Sequence, residues 1–156
     1  KFKLSYWGSG LNDLLVQHLQ QTWIDTLGIQ IELVKLPLKA VLANIQSRNY
    51  EICLCAYITE IADPTNIFER FSRRENTRNY PGWQNNRYQQ LCNESLFQKN
   101  RQQIFHELEA ILMREQPFAP IYHYKYAYMV HPHVLNFEIS PLGHIRFDKI
   151  ELVVTD

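Results

Sequence analysis

Residues 1–36, KFKLSYWGSGLNDLLVQHLQQTWIDTLGIQIELVKL, decide the fold of this chain of 156 residues. Lys1–Trp7 alternates apolar and polar side chains, which is typical of a strand with one buried face. Leucines and a tryptophan then recur every three or four positions over Leu11–Leu27, as in an amphipathic helix, and Gly28 is a helix stop. Ile29–Leu36 returns to a period of two. The order strand, helix, strand predicts two parallel strands joined by a crossover helix.

A second helix and a third strand extend this pattern. Pro37 can occupy the first turn of a helix, and the apolar positions that follow recur at helical spacing. Ile52–Ile58 is a nearly continuous apolar run, typical of a strand buried on both faces. We therefore expect an α/β fold with a mainly parallel sheet flanked by helices. In open sheets of this kind ligands bind beyond the carboxyl ends of the strands, so the residues after Ile58 are the candidate site.

The remainder of the chain predicts more helices and a strand-rich end. A loop with two carboxylates, Thr59–Thr65, is followed by a short helix and a polar loop. Helical spacing then returns twice, with an apolar face formed by Ile104, Phe105, Leu108, Ile111 and Leu112 in the second helix. The expected bounds are helices at Asn66–Phe71, near Asn86–Leu96 and near Asn100–Glu115, a polar loop over 73–87, a strand-like aromatic stretch at Ala119–Val130, a turn at Pro141-Leu142-Gly143 and a last strand at Ile145–Val154. We expect these late strands to be antiparallel.

Charge, hydropathy and length exclude several classes of protein. Sixteen basic and sixteen acidic side chains cancel, so no net field attracts nucleic acid or an anionic membrane. No apolar run approaches the ~20 residues that span a bilayer. The chain begins Lys-Phe-Lys without a signal-type apolar segment, so we expect any export signal to lie outside it. The length predicts one domain, residues 1–156.

The cysteines and histidines do not form a recognisable metal motif. Cys53 and Cys55 are two positions apart in a strand, where a disulfide would be strained, and we expect buried thiols at both and at Cys92. Neither this pair nor His131-Pro132-His133 has further ligands at zinc-like spacing. We therefore expect no metal and no cofactor.

Several separated motifs resemble one known family. AYITEIADP (Ala56–Pro64) is similar to its Gly-Trp-x-x-Asp-x-x-Asp-Pro loop, and HELEAILMREQPFAPIYHY (His106–Tyr124) to its helix, proline and aromatic strand. Further similarities lie in the long first helix running into Gly28-Ile29, in Gly82-Trp83 with Asn85 and Tyr88, and in SPLGHIRF (Ser140–Phe147). Over nearly its whole length the chain resembles the second, carboxy-terminal lobe of the oligopeptide- and dipeptide-binding proteins of bacterial ABC transporters, the extracellular solute-binding proteins of family 5.

The resemblance implies a periplasmic-binding-protein-like lobe and a binding function without catalysis. A complete member has a first lobe built from segments on both sides of the second, and the two lobes close on an extended peptide. The main chain of Ala56, Tyr57 and Ile58 would pair with the peptide, and Glu60 would bind its α-ammonium group. The implied partners are a peptide, the permease subunits of the transporter and the missing first lobe. The implied state is a monomer in the periplasm or a cell-surface lipoprotein.

Two departures from the family pattern leave alternatives open. Glu60 stands where the family has Asp, and Ala56-Tyr57 where it has Gly-Trp. A metal- or haem-binding member without an amine to bind is therefore an alternative. A hydrolase that uses Glu60 and Asp63 as an acid–base pair is another. For Asp63-Pro64 we expect a structural role, shaping a turn and capping the next helix.

Overall fold

The computed structural model describes residues 1–125 and 127–153. The chain begins with alternating strands and helices, continues with helices and ends with two short strands. The bounds are β1 Phe2–Trp7, α1 Gly10–Leu27, β2 Ile31–Leu36, α2 Leu38–Gln46, β3 Ile52–Cys53, α3 Thr65–Phe68, a 3-10 turn at Glu69–Phe71, α4 Asn86–Ser95, α5 Gln102–Glu115, β4 Val134–Leu135, a 3-10 turn at Phe147–Lys149 and β5 Glu151–Leu152.

The main sheet has the order β2-β1-β3, and all its strands are parallel. β1 pairs with β2 over its full length, from Phe2 opposite Ile31 to Trp7 opposite Leu36. β1 is therefore the central strand, and the crossover predicted from residues 1–36 is confirmed. β4 and β5 form a separate antiparallel pair, which confirms the expected α/β class with late antiparallel strands.

Local signals set the ends of the long first helix as the sequence predicts. The hydroxyl of Ser9 accepts a hydrogen bond from the main-chain N–H of Asn12 at 3.3 Å. Gly28 adopts a left-handed conformation with φ of 65°, and its N–H donates to the carbonyl of Ile24. Side-chain oxygens and left-handed glycines satisfy the main-chain groups that a helix leaves without partners at its ends.

A first group of apolar side chains, the sheet cluster, lies where α1 packs against the strands. The residues at its centre are Leu4, Tyr6, Val16 and Ile31. Of the face predicted for α1, Leu11, Leu14 and Leu27 are exposed, and the only fully buried apolar residue of the helix is Val16. Among the described residues the sheet has only three strands, so it covers a narrow stripe of the helix.

A second group, the helical cluster, lies between α4, α5 and the 3-10 turn before them. Its buried members are Phe71, Tyr88, Leu91, Cys92, Ile104, Leu108, Ile111 and Leu112. The predicted apolar face of α5 is confirmed, with Phe105 half-buried at its margin. Trp83 packs against this cluster and donates from Nε1 to Glu115 at 2.9 Å, so it closes the cluster.

The third strand is much shorter than the predicted Ile52–Ile58. Ladder pairing covers Ile52 and Cys53, and a last hydrogen bond joins the N–H of Leu54 to the carbonyl of Ser5 at 2.9 Å. The prediction of a strand buried on both faces is wrong, since β3 is half-buried at the sheet edge. The chain leaves the sheet because the ring of Tyr57 packs in the helical cluster.

The aromatic stretch Ala119–Val130 is not a strand in the part that the structure describes. Its described residues are all exposed, and Tyr126 lies outside the described residues. The predicted last strand, Ile145–Val154, is reduced to β5 and an isolated bridge between Ile145 and Ile139; Val154 also lies outside the described residues. Alternation alone does not make a strand, because a strand needs a neighbour for its main-chain hydrogen bonds.

The three cysteines are free thiols. Cys92 is buried in the helical cluster, whereas Cys53 and Cys55 are half-buried, less than the sequence predicts. Burial raises the pKa of the Cys53 and Cys92 thiols to about 12. Among the described residues, no helix is both long and apolar enough to cross a membrane.

Candidate functional site

The residues that follow β3, here called the site segment (residues 54–65), lead from the sheet to α3. Tyr57 points into the helical cluster, where its ring centroid lies 5.5 Å from that of Phe71 and 5.4 Å from that of Tyr80. Its neighbours Ala56 and Ile58 are exposed. The side chains therefore still alternate between inside and outside, although the main chain has left the sheet.

The main chain of Ala56 and Tyr57 makes no hydrogen bond within the described part of the chain. The carbonyl of Ile58, in contrast, accepts a hydrogen bond from the guanidinium of Arg70. Arg70 is only 7% exposed, and its Nε also donates to the carbonyl of Asn66 at 3.1 Å. One lone pair of the Ile58 carbonyl is thus occupied, while the polar groups before it are free to pair with an added strand.

The main chain of Glu60 is fixed by a hydrogen bond, whereas its side chain makes a single contact. Its N–H donates to Oδ1 of Asn66 at 3.1 Å. One carboxylate oxygen, Oε1, lies 2.7 Å from Nη2 of Arg78, in an ion pair whose side chains are 61% and 47% exposed. Ile58 and Ile61, on either side, are large exposed apolar residues. The carboxylate therefore lies in solvent between apolar neighbours, beyond the end of β3.

Asp63 makes several strong contacts at the end of the site segment. Its Oδ1 accepts from the N–H of Thr65 at 2.9 Å and from the Thr65 hydroxyl at 2.6 Å. Its Oδ2 lies 2.6 Å from the guanidinium of Arg101, immediately before α5. The bond from Arg101, followed by those from Thr65, lowers the pKa of the Asp63 carboxyl to about 2. The segment is thereby tied to both α3 and α5.

These contacts do not support an acid–base pair formed by Glu60 and Asp63. A general acid or base works best when its pKa lies near the operating pH. A carboxyl group with a pKa of about 2 that is bonded to an arginine is ionised and engaged at neutral pH.

A metal site is equally unsupported by the geometry. The rings of His131 and His133 meet edge to face with centroids 4.8 Å apart. Throughout residues 1–125 and 127–153, however, no group of three or more histidine, cysteine, aspartate or glutamate side chains is arranged to bind a metal.

Four polar residues around the site segment are not predicted from the sequence. Asn66 holds the main chain of Glu60, and Arg78 pairs with its carboxylate. Arg70 binds the carbonyl of Ile58, and Arg101 binds Asp63. For Arg70 and Arg78 the only signal in the sequence is the high arginine content of residues 70–78, and Asn66 and Arg101 have none. Composition does not indicate which carboxylate or carbonyl each arginine reaches.

Comparisons with known proteins define the class to which this architecture corresponds. The fold is that of the periplasmic binding proteins: the murein tripeptide binding protein MppA of Escherichia coli superposes with a TM-score of 0.89 over 99% of this chain and 31% of its own, at 18% identity. Haemophilus influenzae OppA, solved in complex with the peptide RPPGFSPFR, superposes with a TM-score of 0.87 over 98% of this chain and 31% of its own, also at 18% identity.

Sequence comparison leads to the same class. The chain is 26% identical over 150 residues to the oligopeptide-binding protein OppA of Bacillus subtilis, covering 94% of this chain and 28% of OppA. It is 25% identical over 134 residues to the dipeptide-binding protein DppE of the same organism, covering 84% of this chain and 24% of DppE. No protein-family model matches. The resemblance to the solute-binding proteins of family 5 is confirmed, and the chain spans about a quarter of the length of these relatives.

Proposed function

We propose that the chain is the second lobe of a two-lobed solute-binding protein that captures peptides and delivers them to the permease subunits of an ABC transporter. In this proposal residues 1–156 form one domain, the other lobe is a separate part of the same protein, and no bond of the peptide is broken. The relatives named above are described as binding proteins for oligopeptides, dipeptides or a murein tripeptide.

The observation that carries the proposal is the free main chain of Ala56 and Tyr57 beside the carboxylate of Glu60. An extended peptide can add to such an edge as a strand, so its affinity comes from main-chain hydrogen bonds that are independent of its side chains. Ile58 takes part through its N–H and the remaining lone pair of its carbonyl. Its exposed side chain then lines the peptide.

Glu60 provides the charge that fixes the direction of the peptide. An α-ammonium group that reaches its carboxylate would make a charge-assisted hydrogen bond, which contributes about 1.5–3 kcal/mol. Asp63 and Pro64 play no direct part, because the Asp63 carboxylate is occupied by Thr65 and Arg101. Their role is to hold the loop that presents Glu60.

The complete protein would act outside the cytoplasm, in the periplasm or as a lipoprotein at the cell surface. Several of the matched structures are described as periplasmic proteins. The exposed apolar side chains of α1 and of the aromatic stretch, among them Leu11, Leu14 and Tyr124, agree with a lobe that meets another part of the protein. We propose that the complete protein is a monomer whose lobes close by a hinge motion on the peptide.

Isothermal titration calorimetry on the complete two-lobed protein tests this function. Tetra-alanine should bind about tenfold or more tightly than its N-acetylated form, because acetylation removes the ammonium charge. Glu60→Gln should abolish that difference. Glu75→Gln, which removes a charge from an exposed side chain of the neighbouring polar loop, is the matched control and should preserve it.

Two results would contradict the proposal. If tetra-alanine does not bind at millimolar concentration, the peptide-binding function is excluded. If the unmodified protein binds the free and acetylated peptides with equal affinity, Glu60 does not bind the α-ammonium group. Hydrolysis of the peptide during incubation, followed by chromatography, would instead support the hydrolase alternative.

A further inference from the structure

We infer that Arg78 is a built-in competitor for the ligand's ammonium group at Glu60, so that it sets how strongly the protein discriminates in favour of a free amino terminus. This inference rests on the proposed function. It assigns a role in specificity to a residue of the polar loop, which lies 18 positions from Glu60 in the sequence.

The place that an ammonium group would take at Glu60 is already occupied. Nη2 of Arg78 lies 2.7 Å from Oε1 of Glu60, the distance at which an ammonium group would itself bind. A ligand must therefore replace Arg78 or take the second carboxylate oxygen, Oε2. In the second case two cations lie a few ångströms apart, and their repulsion opposes binding.

Glu60 is positioned by contacts other than the one with Arg78. The main chain of Glu60 is fixed by the bond from its N–H to Asn66, and Asn66 is itself bonded to the buried Arg70. This support does not involve Arg78. Removing Arg78 should therefore leave the main chain of Glu60 in place and free its carboxylate from a competing cation. Ligand binding should then become tighter, whereas loss of a supporting residue would make it weaker.

Arg78 can move away from Glu60 at low cost. Both partners of the ion pair are largely in solvent, and pairs of this kind are weak. The main chain of Arg78 is separately fixed by a bond from its N–H to Oδ1 of Asn76 at 2.9 Å. Arg78 itself lines an open groove of about 270 Å³, together with Glu69, Arg70 and Asn76 among others. The guanidinium can thus swing into the groove without displacing a packed side chain.

Calorimetry on the complete two-lobed protein with tetra-alanine and N-acetyl-tetra-alanine tests the inference. Arg78→Gln should tighten binding of the free peptide about two- to fivefold, equivalent to about 0.4–1 kcal/mol, and leave the acetylated peptide unchanged. Arg74→Gln, which removes the same charge from an exposed position in the same loop, controls for net charge and should change neither affinity. Added to Glu60→Gln, Arg78→Gln should have no further effect.

Three outcomes would overturn the inference. Unchanged or weaker binding of the free peptide by Arg78→Gln would show that Arg78 does not compete. An equal gain for the acetylated peptide, or an equal gain from Arg74→Gln, would show a general charge effect. In each case the proposed function still holds if Glu60→Gln binds the free and the acetylated peptide equally well. If Glu60→Gln still prefers the free peptide, the role proposed for Glu60 is itself wrong.

Discussion

The sheet cluster and the helical cluster hold the site segment in different ways. At its start the segment is held through the main chain, by the hydrogen bond from Leu54 to Ser5. Three residues later it is held through a side chain, because the ring of Tyr57 lies among Phe71, Tyr80 and Phe118. The difference explains how the segment keeps the main chain of Ala56 and Tyr57 unpaired. Its position is fixed by an aromatic ring, so no sheet ladder uses the polar groups of Ala56 and Tyr57.

Hydrogen bonds also join the segment between α2 and β3 to the polar loop before α4. The guanidinium of Arg48, two residues after α2, donates to the carbonyls of Arg74 and Asn79. The hydroxyl of Tyr50 donates to the carbonyl of Tyr80 at 3.0 Å. The sheet side is thereby bonded to the polar loop that leads into α4. We therefore expect the two clusters to unfold together, and the following predictions test that expectation and the roles assigned to each side.

The largest effect is expected from Phe71→Ala. Phe71 is fully buried, and its ring stacks on Phe118 with centroids 4.9 Å apart. Truncation should lower the free energy of unfolding by about 3–5 kcal/mol and remove the support of Tyr57. Leu4→Ala in the sheet cluster should cost about 2–5 kcal/mol. If the clusters are coupled, each substitution lowers the midpoint of one shared transition in urea.

The tryptophans allow the two sides to be followed separately. Trp23 packs against the sheet cluster and Trp7 lies in β1, whereas Trp83 packs against the helical cluster. Fluorescence of a Trp83→Phe variant therefore reports the sheet side, and that of a Trp7→Phe/Trp23→Phe variant reports the helical side. Two transitions, each shifted by only one of the core substitutions, would show that the clusters unfold independently.

A medium effect is expected from Gly82→Ala, which tests the connection between the clusters. Gly82 has φ of 64°, and a β-carbon there would lie 2.7 Å from Nε of Arg48. The left-handed conformation alone costs a residue with a side chain about 1–2 kcal/mol, and the displacement of Arg48 adds to this.

Gly28→Ala is the matched control for that substitution. Gly28 has φ of 65° but no atom within 4 Å of the added carbon. The difference in the free energy of unfolding between the two variants, measured by urea denaturation, reports the contact with Arg48. Equal losses would mean that Arg48 contributes nothing to the connection.

The smallest effect is expected at Asp63, which links the site segment to the helical side. Its pKa of about 2 lies below the ordinary value of 3.8, so the ionised form stabilises the folded state. That contribution is complete above about pH 4 and is lost as the pH falls towards 2. Asp63→Asn should cost about 1 kcal/mol at pH 7, because solvent screens the pair with Arg101.

Urea denaturation at pH 7 and at several values between 4 and 2 would measure this dependence. The difference between Asp63→Asn and the unmodified chain should shrink across that range. Asp148→Asn removes a carboxylate whose arginine partner, Arg146, is two positions away on the exposed surface, and should change stability less. A loss that is constant with pH would show that the Asp63 charge is not what stabilises the loop.

Much of the fold follows from local patterns in the sequence. Helical spacing over Leu11–Leu27 and the stop at Gly28 define α1, and the period of two on either side defines β1 and β2. The apolar face of α5 is likewise predicted from helical spacing. These features depend on neighbours within a few residues, so a short window of sequence contains the information that determines them.

The site is predicted less completely. The pattern Ala56–Pro64 locates the segment and singles out Glu60 and Asp63, because motif spacing is a property of the sequence alone. Whether those carboxylates are free or paired depends on Arg78 and Arg101, which lie 18 and 38 positions further along. Sequence spacing does not show which distant arginine reaches which carboxylate.

The sequence by itself determined the alternation of strands and helices, the class of fold and the segment that follows the third strand. Only the tertiary structure decided where that strand ends and which polar groups remain free. The physical reason is that β pairing and side-chain packing compete for the same residues. Beyond Leu54, burial of the Tyr57 ring in the helical cluster replaces the sheet ladder, and the outcome depends on residues far away in the sequence. In the same way the apolar alternation of Ala119–Val130 forms no strand within its described residues, because a strand also requires a partner.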